Sequence, residues 1–377
     1  MKEHIIAGHV APGFEPVAEA FEANFRDDKE LGAGFAAWIG EDCVIDLQGG
    51  WSDRKQQQSW GRETLVPVFS TTKPIAAFII ALLLSRAGAP ETGFETPVAD
   101  VWPEFAANGK ARVTIAQLMA HQAGLPGFRK EIDPALWLDP PALAAEIARK
   151  APMWPPGEGS GYHPLTWGYL VGELARRLSG GRTLGTILRE EVTHRDPESP
   201  IDFWIGLPEA EHDRVAEMMR PRAMPLLGDL NDYKRTAFLT KWAAPDRGGA
   251  IWKTIEIPSA NGHGTAAATA RLYGVYAGTL DIGLSPGIRE AFLKSRSDGP
   301  DRVLPFEIDF ACGVMRNTHG IYGPNPRAFG HSGWGGSLAL GDPDRQLSLA
   351  YVMNRQSNHL QGDPRARRLV EAVYGCF

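Results

Sequence analysis

Apolar positions recur at helical spacing over residues 12–25, where Phe14, Val17, Phe21 and Phe25 share one stripe. Two strand-like runs follow, residues 34–40 and 43–50, and the short Glu41-Asp42 link between them reads as a hairpin. Residues 65–69 are extended in character, and residues 75–84 are apolar on every side, the pattern of a helix buried inside a domain. Residues 85–200 are mostly helix and loop. A short amphipathic helix over 113–121 stops at Gly124-Leu125-Pro126-Gly127, a second covers 140–151, and a third covers 165–178 and ends at Ser179-Gly180-Gly181. Residues 205–255 mix Met218, Met219, Met224, Leu226, Leu227, Phe238 and Trp242 with prolines and charges, which suits either an adaptable apolar cap or the packing of an irregular lobe. Gly262-His263-Gly264-Thr265-Ala266 opens a helix through Leu272, and residues 328–340 pair across Asp342-Pro343-Asp344 with 347–354 as an antiparallel hairpin. A helix over Pro364–Tyr374 closes the chain. Strands near both ends with helices between them predict an α+β fold (an α/β sandwich) with one antiparallel sheet built from both termini. On this reading residues 1–85 and 250–377 form the α/β domain. Residues 86–249 form a mainly helical lobe, with 205–249 as a candidate substrate cap.

Composition narrows the class without naming a chemistry. The 377 residues are enough for one large domain or two intimately packed ones, and the apolar and charged fractions are those of a globular protein. A net charge of −6 offers no basic surface for nucleic acid and no polybasic anchor for a membrane. The N-terminus carries acid early and lacks a signal-peptide core, and the run over 75–84 is too short to span a bilayer. Cys43, Cys312 and Cys376 are odd in number and far apart, as expected of reduced thiols rather than a disulfide framework or a metal site. A cytoplasmic protein without metal or cofactor is the expected placement.

Chemistry concentrates at Phe69-Ser70-Thr71-Thr72-Lys73-Pro74, where strand-like residues give way to the apolar helix. Ser70 sits at the first turn, and Pro74 fits the same turn because early helical N–H groups have no partner to lose. Lys73 lies one turn on and on the same face, so its amine can reach the hydroxyl. A serine hydroxyl is a weak nucleophile until a base takes its proton, and a lysine serves once burial lowers its pKa. A simple helix cap with an exposed lysine accounts for these four residues equally well. The second copy of the spacing, Ser52-Asp53-Arg54-Lys55, lies in a polar stretch with no apolar helix after it and reads as a solvated turn.

An acyl-transfer site also needs a second proton carrier and a place for the oxyanion. The Pro/Gly loop Trp154-Pro155-Pro156-Gly157-Glu158-Gly159-Ser160-Gly161 delivers Tyr162 just ahead of a helix, where a nearby Lys73 cation would shift it toward phenolate. Gly330-His331-Ser332-Gly333-Trp334, read as strand, could set a backbone N–H opposite that of Ser70, with glycines admitting close approach. His121, at a helix C-terminus, is read as a capping or packing residue.

Ser70-Thr71-Thr72-Lys73, Tyr162 after a Pro-Pro-Gly loop, and His331-Ser332-Gly333 followed by Trp334-Gly335-Gly336 resemble the serine β-lactamase and penicillin-binding-protein superfamily in order and spacing. Residues 118–125 and 259–266 add to the likeness, which runs from about residue 15 to about residue 375 and is greatest to the family VIII carboxylesterases with their class C β-lactamase fold. The resemblance implies a β-lactamase/transpeptidase-like fold and a catalytic set of Ser70, Lys73 and Tyr162. It also implies an oxyanion hole from the N–H groups of Ser70 and Trp334, with Gly333 and His331 near the substrate. Two departures favour uncharged esters over penicillins. The family's Tyr-x-Asn is Tyr162-His163-Pro164, and its Lys-Thr-Gly is His331-Ser332-Gly333, which replaces a fixed cation with a mostly neutral imidazole.

Gly335-Gly336-Ser337-Leu338-Ala339 mimics an esterase elbow, with Asp342 and His359 after it, but a strand rather than a helix follows. The expectation is a serine carboxylesterase acting on short-chain, small-molecule esters, in an oligomeric state the sequence leaves open. A β-lactamase, a D-amino-acid peptidase or an acyltransferase would use the same residues. A binding module that kept the scaffold without turnover is the alternative outside enzymes.

Overall fold

The computed structural model describes residues 6–27, 29–238 and 246–377; the part of the expected cap over 239–245 lies outside them. Strands β1 (Ile6–Val10), β2 (Gly32–Ile39), β3 (Asp42–Gly50), β7 (Ser297–Pro300), β8 (Glu307–Phe310), β9 (Met315–Arg316), β10 (Phe329–Ser332), β11 (Leu338–Asp342) and β12 (Leu347–Met353) form one sheet in the order β1-β3-β2-β12-β11-β10-β9-β8-β7. Every pairing in it is antiparallel, and β2 joins β12, so strands from the two ends of the chain meet in the middle. A smaller sheet of β4 (Val66–Pro67), β5 (Phe203–Ile205) and β6 (Gly262–Gly264) has the order β4-β6-β5.

The large sheet is covered on both faces, and its alternation shows which side chains go where. Phe35, Ala37, Leu338, Leu340, Leu349 and Tyr351 pack into the core with α1 (Glu15–Arg26) and the helix Pro364–Tyr374. Ala36, Ala339, Ala350 and Val352 face the other core, which continues through the helices between the two halves of the sheet. The residues on that second face are small because the helix Ala266–Ala277 lies directly on it. A Cβ at Gly341 would stand 2.6 Å from the Tyr273 carbonyl oxygen.

α2 (Thr72–Arg86) runs through the second core, buried from Thr72 to Leu84, as its all-round apolarity requires. The stretch Phe69–Arg86 is long and apolar enough to cross a membrane, yet 83% of it is buried inside the protein. Of the remaining expectations, the helices appear as Glu15–Arg26, Ile115–Met119, Pro140–Ala148, Thr166–Leu178, Ala266–Ala277 and Pro364–Tyr374. One reading is corrected. Residues 328–340 are two strands rather than one: β10 folds back on β11 through the turn 333–337, with Gly335 and Gly336 at φ +92° and +123°.

Candidate active site

Ser70 lies in a single 3-10 turn, Phe69–Thr71, that feeds α2. Phe69 enters it at φ +49°, a left-handed value unusual for a bulky residue. Neighbours from the whole fold hold this turn. Val68 donates its N–H to the Gly262 carbonyl at 2.9 Å and accepts from Ser337 Oγ at 2.8 Å, Tyr273 donates to the Thr71 carbonyl at 2.9 Å, and Thr72 Oγ1 accepts from the Gly262 N–H at 3.0 Å. Ser337, the serine of the elbow-like stretch, is therefore a buried anchor for the turn, while His359 is exposed and bonds Ser357. Neither the 3-10 turn nor α2 has a side-chain cap, which removes the simple-cap reading of Ser70.

Lys73 is 0% exposed. Its Nζ lies 3.2 Å from Ser70 Oγ, 2.9 Å from the Pro164 carbonyl oxygen and 3.0 Å from the Ser259 carbonyl oxygen. No carboxylate accompanies it, and burial pushes its pKa well below the ordinary lysine value. A neutral amine has two N–H bonds and one lone pair. In that form the two carbonyls would take the N–H bonds and the lone pair would face the Ser70 hydroxyl.

Tyr162 reaches the same point from the opposite wall. Its hydroxyl faces Ser70, which acts to lower its pKa, and its ring centre lies 4.7 Å from Lys73 Nζ. The ring stacks on Phe310 at 6° between planes and packs on His121 with centroids 4.8 Å apart, and the Tyr162 N–H donates to Asp301 Oδ1 at 3.0 Å. The phenolate expected here is corrected. Burial raises the Tyr162 pKa, against the lowering by Ser70, so the phenol keeps its proton beside an amine whose pKa burial has lowered.

His121, expected as packing, is the wedge behind Tyr162. It is buried at φ +62°, and its Nδ1 accepts from the His163 N–H at 3.1 Å. His163 in turn accepts from the Leu125 N–H at 2.8 Å. Nothing in the residue pattern marked these contacts, or the two carbonyls on Lys73, as parts of the site; Pro164 stands where the resemblance places an asparagine.

The far wall carries the remaining candidates. His331 Nδ1 lies 2.8 Å from the Ser332 carbonyl, so it carries the proton, and Nε2 is a buried acceptor with no partner among the described residues. Burial, with Lys73 adding to it, pulls the His331 pKa down to about 3, which makes the ring a neutral acceptor and not a substitute cation. Trp334 lines the cavity from the turn after β10, where Gln356 Nε2 donates to its carbonyl at 3.0 Å. Gly333 does not touch the cavity, contrary to expectation. Its N–H is spent on the Ser337 carbonyl at 2.8 Å, and a Cβ there would stand 2.3 Å from the Val68 carbonyl oxygen. Its lack of a side chain lets β10 close against the Ser70 turn.

Ser70, Tyr162, His331 and Trp334 open into a cavity of about 820 Å³. Apolar side chains including Phe69, Leu165, Trp252, Leu304 and Phe306 line it, and the described part of the candidate cap supplies Arg220, Arg222, Met224, Phe238 and Arg247. Among the described residues no group of three His, Cys, Asp or Glu side chains is gathered that could hold a metal ion.

A serine at the mouth of a buried helix, its lysine one turn on, and a helix-flanked antiparallel sheet from both chain ends together define a serine hydrolase with the β-lactamase/transpeptidase-like fold. The chain belongs to the Beta-lactamase family, whose model matches residues 18–374. It is 33% identical over 367 residues to the Esterase/beta-lactamase LipL of Mycobacterium tuberculosis, covering 93% of this chain and 83% of that one. Among solved structures it is similar to a penicillin-binding protein homolog from Caulobacter crescentus, with 50% identity, a TM-score of 0.94, and 99% of this chain and 100% of that one covered. A family VIII carboxylesterase matches with 37% identity and a TM-score of 0.90, over 99% of this chain and 100% of that one.

Proposed function

We propose that the protein is a carboxylesterase that hydrolyses short-chain esters through an acyl-enzyme on Ser70. The observation that carries this reading is the fully buried Lys73, whose Nζ lies 3.2 Å from Ser70 Oγ beside two carbonyls and whose pKa burial pushes well below the ordinary lysine value. Lys73 takes the Ser70 proton as Oγ attacks the ester carbonyl carbon. The oxyanion is received by the backbone N–H groups of Ser70 and Trp334. As the intermediate collapses, Tyr162 gives its phenolic proton to the departing alcohol and regains one from the Lys73 ammonium. Water then attacks the acyl-enzyme along the same relay and releases the acid. The neutral His331, in place of a fixed cation, suits an ester better than a substrate whose carboxylate must sit beside the reacting carbonyl.

Intact-mass labelling with a fluorophosphonate tests the nucleophile. One adduct is expected on the parent and none on Ser70→Ala, with para-nitrophenyl acetate and butyrate turnover lost in the same variant. Undiminished turnover after Ser70→Ala would remove the reading. Nitrocefin turnover exceeding that of short esters would replace it with a β-lactamase.

A further inference from the structure

The cavity is larger than a short ester needs, since volumes of this order accommodate drug-sized ligands. Its formal charges are also unevenly placed. Close to Ser70 the wall is electrically neutral, because Tyr162 keeps its proton and His331 lacks one. Among the described residues the charged side chains of the wall are Arg220, Arg222, Arg247 and Asp246, all exposed and forming its rim, three cations to one anion in a chain whose net charge is −6. Among the described residues none of the three guanidiniums is matched with a carboxylate.

The segment bearing two of them is tethered at both ends. Met219, next to Arg220, donates its N–H to the Asn354 carbonyl at 2.7 Å and accepts from the Gln356 N–H at 2.9 Å. Gln356 in turn holds the carbonyl of Trp334. Farther along, the Leu227 carbonyl accepts from the buried Lys234 Nζ at 2.6 Å. Arg220 and Arg222 therefore belong to a stretch fixed beside the turn that carries Trp334. The charge of Arg220 faces that of Arg247, so an anion placed between them relieves a repulsion already present.

We infer that this rim is an anion subsite, and that the preferred ester carries a carboxylate or similar acid group several bonds from its scissile carbonyl. The inference rests on the esterase reading and deepens it. The ester carbonyl lies against the uncharged inner wall, the apolar middle of the cavity covers the connecting carbons, and the distal acid meets the arginines. This location differs from the position beside the reacting carbonyl that the His331 substitution leaves uncharged.

Two matched pairs of probes test it: the para-nitrophenyl monoester of adipic acid against its methyl ester, and para-acetoxybenzoate against methyl para-acetoxybenzoate. The first pair puts the anion on the acyl side and the second on the leaving side. In at least one pair, at low ionic strength, the acid is expected to exceed its methyl ester about tenfold in kcat/KM, mainly through KM, with the ratio shrinking as salt is added. In the triple variant Arg220→Gln/Arg222→Gln/Arg247→Gln the ratio should fall to about one, and the triple Lys variant should keep part of it. Because each ratio is internal to one preparation, partial misfolding does not disturb it. Preference for the methyl ester in both pairs, or an acid preference that survives the triple Gln substitution, overturns the inference alone. If none of the four esters shows Ser70-dependent turnover, the esterase reading falls and takes this inference with it.

Discussion

Arg365 and Lys73 are both buried basic side chains, and they keep different company. The Arg365 guanidinium donates to both oxygens of Asp363 at 3.0 and 2.8 Å and to Glu30 Oε2 at 3.0 Å, with the carbonyls of Lys29, Gly335 and Arg355 as further acceptors. Among the described residues Lys73 Nζ meets two carbonyls, a hydroxyl and the rings of Tyr162 and Trp167, and no carboxylate. A charge removed from water persists only where opposite charge and hydrogen bonds replace hydration, and otherwise the group gives up its proton. Arg365 thus stays a cation and supports the Gly335–Gly336 turn behind Trp334, whereas burial holds the Lys73 pKa well below the ordinary lysine value. Burial alone does not separate structure from chemistry here; the presence or absence of a carboxylate does.

The largest break in this contrast comes from forcing Lys73 to keep its charge. A guanidinium is not deprotonated in proteins, so Lys73→Arg should lower kcat for para-nitrophenyl butyrate by about 10³-fold or more, the upper part of the range for a lost general base. Retained activity would show that the residue acts through its charge. Tyr162→Phe removes the proton relay and leaves the base, so a smaller loss of about 10²-fold is expected, with fluorophosphonate labelling slowed but present. The opposite signature belongs to Arg365. Arg365→Met strands Asp363 and Glu30 in the interior and should cost about 3–5 kcal/mol of stability in urea denaturation. Lys73→Met strands no carboxylate and should cost clearly less.

The pH profile reads the same contrast with a definite sign. In the proposed mechanism the active form of Lys73 is deprotonated, so kcat/KM is expected to fall as pH drops through its pKa, which burial has moved well below 10.5. Activity should therefore persist at neutral pH and decline on the acid side. Tyr162 acts in its protonated form and burial raises its pKa, so no alkaline loss from its ionisation is expected up to about pH 10, the ordinary tyrosine value. A profile that rises only above pH 10 would show a lysine still charged at rest. Initial rates of para-nitrophenyl butyrate hydrolysis, corrected for the spontaneous reaction, give the comparison.

What could be read in advance follows from the kind of signal each part leaves. The stripe of Phe14, Val17, Phe21 and Phe25 and the apolar run after Pro74 are periodic, and both became helices. Strands β7 to β9 left no such trace because they are short, and one of them reads Ser-Asp-Gly-Pro. The alternation through residues 328–340 continued across a reversal that only the positive φ of Gly335 and Gly336 discloses, so two strands looked like one. At the site, Ser70, Lys73 and Tyr162 were visible as side-chain types at familiar spacing. The carbonyls of Pro164 and Ser259 were not, since every residue has a carbonyl and only the fold selects these two. The arginines of the rim lie in an irregular segment, where charge reads as ordinary solvation until the walls of the cavity are assembled around it.

The smallest effect expected bears on the frame that makes the contrast possible. Ser337 Oγ donates to the Val68 carbonyl and lies 3.1 Å from Thr71 Oγ1, tying the β10–β11 turn to the residues on either side of Phe69-Ser70. Ser337→Ala removes both buried side-chain bonds and leaves the Val68 carbonyl with the Thr71 N–H at 3.2 Å, a cost of about 1–2 kcal/mol. If the left-handed Phe69 is held by that tie, the loss should also reach the reaction. The Ser70 and Trp334 N–H groups would lose their fixed separation, and kcat for short esters should fall several-fold with KM little changed. A variant that loses stability but keeps kcat would show that the tie stiffens the fold without aiming Ser70. Ser337→Thr, which keeps the hydroxyl, should recover most of any loss that comes from the hydrogen bond.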